Sequence, residues 1–340
     1  TNHVDLEYTK AKAIETYSHE YAMHFPQIQW PAGRPAKVSP IYDSLLKAGA
    51  VMGSYGGWER ADWFTNNESL KKPANSYDRQ HWFDDVSKEC NHVAEHCGVI
   101  DLTGFSRFEI SGEGTSQWLE TLITGRLPKI GKVGLVYFSS HKGKVLTEMT
   151  ATRISEDHIW LLTGAGAYWH DRDWLNFNLP ESSNIKIVDT THDLGTMLLT
   201  GPKSDLLIAK LTDEKTDNES FPWLSHKSIK LCGEDTRVLK VSYAGEKGFE
   251  IHVNNGSMKK IYDELVQHGE NFNLIHFGML ALDSMRLEKN YRSWKSDLTS
   301  DYTMLQSGLE KWIKFDKGNF IGKEALKNEF DLGTSKKFVT

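Results

Sequence analysis

Residues 241–252, Val-Ser-Tyr-Ala-Gly-Glu-Lys-Gly-Phe-Glu-Ile-His, constrain the fold of this chain more than any other stretch. They read as two alternating strands joined by a glycine-bounded turn, which commits the region to a hairpin. Alternation places Phe249, Ile251 and Val253 on one face and Glu250 with His252 on the other. An acid in that position is either a solvated charge on a half-buried sheet or an acceptor held for a ligand. The strand pattern leaves both readings open.

Around this stretch the chain mixes hairpins with separate helices, the mark of an α+β fold of antiparallel sheets with packed helices rather than a doubly wound sheet. Helical patterns cover residues 3–25, 84–96, 115–122, 168–176, 204–211 and 257–268. A further helix is expected from Ser39 or Pro40 to Lys47, capped by Ser39 and stopped by Gly49. Strands are expected at 98–102, 105–110 and 158–163, and a hairpin pairs 133–138 with 144–153 across a turn at 140–143. Residues 52–64 read as too rich in glycine and aromatics for regular structure, and 330–340 as the start of a strand.

The chain of 340 residues is long enough for two or three cores. A net charge of −6 argues against a nucleic-acid partner, which needs a concentrated basic face. No apolar run is long enough to span a bilayer, and no signal-peptide pattern occurs. The three cysteines, Cys90, Cys97 and Cys232, suit a reducing compartment. A cytoplasmic location is therefore expected, or the mitochondrial matrix in a eukaryote. Thr1 in place of Met is consistent with a fragment or a processed product.

Several patterns carry possible chemistry. Glu148 shares a strand face with Leu146 and Thr150, and the pattern alone reads it as an edge or surface acid beside apolar neighbours. Arg286, in Asp-Ser-Met-Arg-Leu-Glu at 283–288, reads by itself as an ion pair with Asp283 or Glu288. Tyr243 is either core or an aromatic wall. Cys90, His92, His96 and Cys97 invite a metal reading, but Cys90 and His92 lie about 200° apart on a helical wheel, so no metal site is expected. Gly164-Ala165-Gly166 lacks the third glycine of a dinucleotide loop, and no phosphate-loop pattern occurs. The chain gives no sign of binding its own FAD, NAD or ATP.

The segments 143–148, 241–252 and 283–288 together resemble the folate-binding aminomethyltransferase family, which includes the glycine-cleavage T-protein. The resemblance runs from about Gly33 to Leu326 and is strongest with the folate half of dimethylglycine and sarcosine dehydrogenases. It is carried by Gly33-Arg34-Pro35, Ser39-Pro40-Ile41-Tyr42, Gly57-Trp58-Glu59, Trp63-Phe64, and residues 287–294 and 320–326.

The resemblance implies tetrahydrofolate as cofactor, with FAD only on an absent N-terminal half. It implies that Glu250 grips the side-by-side N–H and NH₂ of an amino-pyrimidinone in bidentate fashion. Glu148 would be the acid at the transfer site, where the T-protein carries Asp. Arg286 and Tyr243 would face the cofactor. Residues 1–75 would be a connector and the tail of a flavin-bearing half. Residues 76–104 and 193–298 would form a discontinuous folate domain, 105–192 an inserted domain, and 299–340 a linker into a missing or truncated barrel. The implied activity is one-carbon transfer from a methylamine-derived iminium or formaldehyde equivalent to give 5,10-methylenetetrahydrofolate. The alternatives are a stand-alone folate-dependent demethylase of another donor and a non-catalytic folate-binding or regulatory module. The implied partners are a small methylamine-derived substrate and a flavin-bearing half or subunit, with no nucleic acid and no membrane.

Overall fold

The computed structural model describes residues 6–26, 28–72 and 76–339; residues 3–5 of the first expected helix and Thr340 lie outside them. The elements run α1 (Leu6–Ser18), α2 (Tyr42–Lys47), β1 (Ala50–Tyr55), β2 (Trp58–Phe64), α3 (Phe83–Glu95), β3 (Cys97–Asp101) and β4 (Ser106–Ser111). Then come α4 (Thr115–Leu122), β5 (Val133–Ser139), β6 (Val145–Ser155), β7 (His158–Thr163), α5 (Tyr168–Phe177), β8 (Lys186–Asp189) and β9 (Leu194–Thr200). The remainder is α6 (Ser204–Ile208), β10 (His226–Leu231), β11 (Glu234–Leu239), β12 (Gly248–Asn254), α7 (Asn255–Gly269), β13 (Leu274–His276), α8 (Met279–Glu288) and α9 (Lys323–Leu332).

Two main sheets result. One has the order β10-β11-β12-β9-β3-β13, antiparallel except for the β3–β13 pair, and the other the order β5-β6-β7-β4-β8, antiparallel throughout. Each sheet buries one face under helices. Met197, Leu199, Phe249, Ile251 and Val253 pack with Leu207 of α6 and Met258, Ile261 and Leu265 of α7. Phe108, Ile110, Met149, Ala151, Ile159 and Leu161 pack with Leu119 of α4 and Leu175 of α5. This burial sets the register: a slip by one residue would bury Glu250 and His252 among the helices.

The opposite faces meet each other. Val133, Trp160 and Leu162 of the five-stranded sheet cluster with Leu239 of the six-stranded one, and Val241 packs beside them. The α+β class and its antiparallel sheets with packed helices are observed, and no set of described strands closes into a barrel.

Four local expectations fail for identifiable reasons. Residues 52–64 belong to the hairpin β1–β2, because Gly56 and Gly57 take positive φ (60° and 83°) at the turn and the aromatics pack on the strands. Ser39 does not cap α2, since the helix begins at Tyr42 and the Ser39 side chain bonds to Asp101 instead. Residues 240–247 form a longer loop, so the first strand of the expected hairpin ends at Leu239. Residues 330–332 close α9, and the stretch to 339 forms no strand.

Candidate active site between the two sheets

The register decides which side chains enter the space between the sheets. In the six-stranded sheet Glu250 lies opposite Leu198 on one neighbour and Leu239 on the other, while His252 lies opposite Thr196 and Arg237. In the five-stranded sheet Arg107 pairs with Leu162, Leu162 with Thr150, and Trp160 with Thr152. Alternation along β6 carries Glu148 onto that same face, directly opposite Tyr137 of β5. Both predicted carboxylates therefore lie on inner strand faces, each turned toward the opposite sheet.

One end of the cleft is sealed. The Trp160 ring meets His252 edge-on at 4.7 Å, and Arg237 stacks on Trp160 while donating to Glu109 of the facing sheet at 2.7 Å. Toward the edge strand β5 the same face opens, and Leu135 is 44% exposed.

Glu250 does not point into bulk water, since its side chain is only 12% exposed. Burial pushes its carboxyl up to about 7, opposed by the Arg107 cation across the cleft. Arg107 is fully buried. Its Nη1 donates to the carbonyls of Phe105 (2.9 Å) and Thr191 (3.2 Å), and its Nη2 to the Thr103 carbonyl (3.2 Å) and the Thr196 hydroxyl. No described residue donates a hydrogen bond to the Glu250 carboxylate; the nearest cationic or imidazole nitrogen is His252 Nε2 at 3.5 Å.

Glu148 has a different environment. Burial pushes it up to about 7 as well, and only a bond from the Tyr137 hydroxyl opposes the rise. Its Oε2 is buried with no partner among the described residues. Each acid keeps acceptor capacity that no described donor takes up.

The comparisons with known proteins identify the family. The family model described as GCVT N-terminal domain matches residues 41–317, and that of the FAD dependent oxidoreductase central domain matches residues 2–39. The chain belongs to the GCVT aminomethyltransferase family. Mitochondrial dimethylglycine dehydrogenase of Rattus norvegicus is 32% identical over 98% of this chain, which spans 39% of that protein. An aminomethyltransferase of a Thermoanaerobacter species is 28% identical over 76% of this chain and 70% of its own length. The glycine cleavage system aminomethyltransferase T of Bartonella henselae superposes with a TM-score of 0.74 at 22% identity, covering 88% of this chain and 76% of that one, and shares the fold.

In this member of the GCVT family Arg286 lies within α8 and is buried. Its Nε and Nη2 meet Asp283 at 2.8 and 2.7 Å, and its Nη1 donates to the Tyr291 carbonyl (3.0 Å) and to Asp297. Those contacts pin the 291–297 turn onto the helix. Tyr243 is half-buried, donates to the Arg292 carbonyl at 3.0 Å and stacks on Tyr291. Its hydroxyl is pushed up to about 12, chiefly by burial, with Arg286 opposing and Glu148 adding to the rise. Tyr243, Arg286 and Glu148 thus share one neighbourhood, and Arg107 pairs electrostatically with Glu250.

Two cavities lie elsewhere. One of about 250 Å³ is lined by Lys37, Trp58, Tyr168 and Trp169 among others, and one of about 390 Å³ borders Glu120, Arg153 and Lys317. Neither is lined by Glu250 or Glu148. Cys90 and Cys97 donate to the Ala281 and Phe272 carbonyls, and no described cluster of three or more groups could hold a metal. Sequence reasoning missed Arg107, Thr196 and Tyr137. The signal for Arg107 was present, since Phe105, Arg107 and Glu109 form the less apolar face of an alternating strand.

Proposed function

We propose that this chain is the folate-binding module of a methylamine-oxidising flavoprotein of the dimethylglycine or sarcosine dehydrogenase type. Tetrahydrofolate, when bound, would supply the nitrogens that take up a formaldehyde or iminium carbon and yield 5,10-methylenetetrahydrofolate. Glu250 accepts two hydrogen bonds from the amino-pyrimidinone edge, and its carboxylate is unclaimed by described protein donors. Glu148 Oε2 takes up the proton released on ring closure, a task suited to a carboxyl pushed to about 7. Tyr243 lines the cofactor, and Arg286 holds the turn behind it. The observations that support this reading are Glu148 Oε2, buried with no partner among the described residues, and a Glu250 carboxylate that no described residue donates to, on the inner faces of two facing sheets.

The flavin-bearing half is proposed as the partner covering α1. That helix buries none of its side chains, with Leu6 83% and Tyr17 80% exposed, and it falls in the stretch that matches the oxidoreductase central domain. Residues 76–104 with 193–298, and 105–192, are proposed as the two folding units whose facing sheets form the cleft. The mitochondrial matrix is the proposed site if the source is eukaryotic, by likeness to the mitochondrial relative. Among the described residues no helix is long and apolar enough to cross a membrane.

Tetrahydrofolate and formaldehyde condense spontaneously, so the test is acceleration above that background. The protein is expected to accelerate formation of 5,10-methylenetetrahydrofolate, with Glu148→Gln losing about 10²–10⁴-fold. Folate binding without acceleration would favour a non-catalytic module. Turnover of another methylated donor would favour a stand-alone demethylase.

A further inference from the structure

Behind Glu250 a chain of polar groups crosses from one sheet to the other. Arg107 Nη2 can only donate, so the Thr196 hydroxyl oxygen accepts from it. That hydroxyl lies 2.8 Å from His252 Nδ1. Thr196 is fully buried, and no other described acceptor stands within reach of its proton. Its proton therefore goes to His252 Nδ1; any other arrangement leaves a buried hydroxyl unsatisfied.

An Nδ1 that accepts places the imidazole proton on Nε2. Nε2 is buried, has no hydrogen-bond partner among the described residues and stands 3.5 Å from Glu250 Oε2 on the same face of β12. The opposite tautomer would set a bare nitrogen lone pair against a carboxylate oxygen. We propose that Arg107 and Thr196 lock His252 in its neutral Nε2–H form, and that His252 is a positioning residue whose N–H keeps Glu250 ionised and aimed at its ligand. This deepens the folate reading and rests on it for the identity of the ligand.

The surrounding charges agree. Arg107 from β4 faces both Glu250 and His252, Arg237 from β11 faces His252 while paired to Glu109, and Asp101 at the end of β3 lies beside Arg107. Burial and the two arginines hold the imidazole well below its usual range, which excludes the imidazolium near neutral pH. An ionised carboxylate has both oxygens free to accept from a pterin edge, whereas a protonated one presents a clashing donor. The Nε2–H favours the ionised form across the pH range where Glu250 would otherwise gain a proton.

The test is tetrahydrofolate affinity by calorimetry between pH 5.5 and 9 for the protein, His252→Phe and His252→Gln. His252→Phe is expected to move the pH midpoint for binding upward by about one unit, roughly tenfold weaker on the acid side and unchanged at pH 9. His252→Gln keeps an N–H at the same place and should recover most of the shift. Weakening by the same factor at every pH would mean a merely structural role and would overturn the proposal. A second readout needs no folate: ¹⁵N shifts of His252 should report the Nε2–H tautomer, and the ¹³C titration of Glu250 should rise in His252→Phe. An Nδ1–H tautomer, or an unmoved Glu250 titration, would contradict it. If His252→Phe does not fold, Thr196→Val is expected to release the tautomer lock and move Glu250 in the same direction by less. Positive magnetic-resonance results without folate binding would uphold the lock and overturn the ligand.

Discussion

The two walls of the cleft carry the same kind of group in opposite circumstances. Glu250 and Glu148 are both glutamates on inner strand faces, and burial pushes both to about 7. Glu250 faces a fully buried arginine held by three carbonyls and a hydroxyl, so its charge is balanced by a cation that cannot swing away. Among the described residues Glu148 takes a bond only from the Tyr137 hydroxyl and keeps one oxygen unpartnered. A fixed cation suits an acid that must stay ionised to anchor a ligand, and its absence suits an acid that must gain and lose a proton near neutrality. In the proposed function, equal burial with unequal partners is what separates anchoring from proton transfer.

Arg107→Met would break the contrast most severely. It removes the cation facing Glu250 and strips the donor from four buried acceptors, a loss of about 3–5 kcal/mol. Denaturant titration should show it, with a larger loss at pH 8 than at pH 5 because only an ionised Glu250 misses the cation. An equal loss at both pH values would mean that Arg107 serves the fold and not Glu250.

Glu148→Gln sharpens the comparison from the other side. The folded protein holds the Glu148 proton up to about 7, whereas the unfolded chain releases it near the ordinary 4.5. Wild-type stability from this group is therefore greatest below 4.5 and is lost as pH rises through 7. The glutamine variant, always neutral, should match wild type near pH 4.5 and exceed it by up to about 3 kcal/mol at pH 8. Glu250→Gln should gain a similar amount over the same window, because its rise to about 7 already contains the opposing Arg107 charge. No gain at pH 8 in either variant would show that burial does not hold that acid's proton.

The smallest expected effect belongs to Tyr137→Phe. The tyrosine hydroxyl lowers the Glu148 carboxyl, so its removal should move the pH midpoint of the transfer rate upward, by up to about one unit. A downward shift would show that Tyr137 bonds the protonated acid instead.

Much of this was legible in residue order, and the remainder was hidden for physical reasons. Alternation at residues 249–253 and 144–153 placed Glu250 and Glu148 on the faces where they are found. The helix over residues 257–268 was visible from its period. The hairpin at 50–64 was not, because its glycine pair and aromatics resemble loop composition until the turn geometry is known. Arg107 was invisible as a partner of Glu250 because they sit on different sheets, and only the packing of two sheets brings them together. Spacing left Arg286 between Asp283 and Glu288, with a cofactor added by the resemblance. The ion pair forms with Asp283, and Asp297 and the Tyr291 carbonyl are added by a turn that no local pattern announces.

Titration calorimetry with tetrahydrofolate on the protein and on Glu250→Ala tests the central claim most directly. Saturable binding by the protein at pH 8, abolished in a variant that keeps its fold by circular dichroism, is the expected result. Affinity unchanged in Glu250→Ala would contradict the account, since the ligand would then be held by something other than the carboxylate on β12.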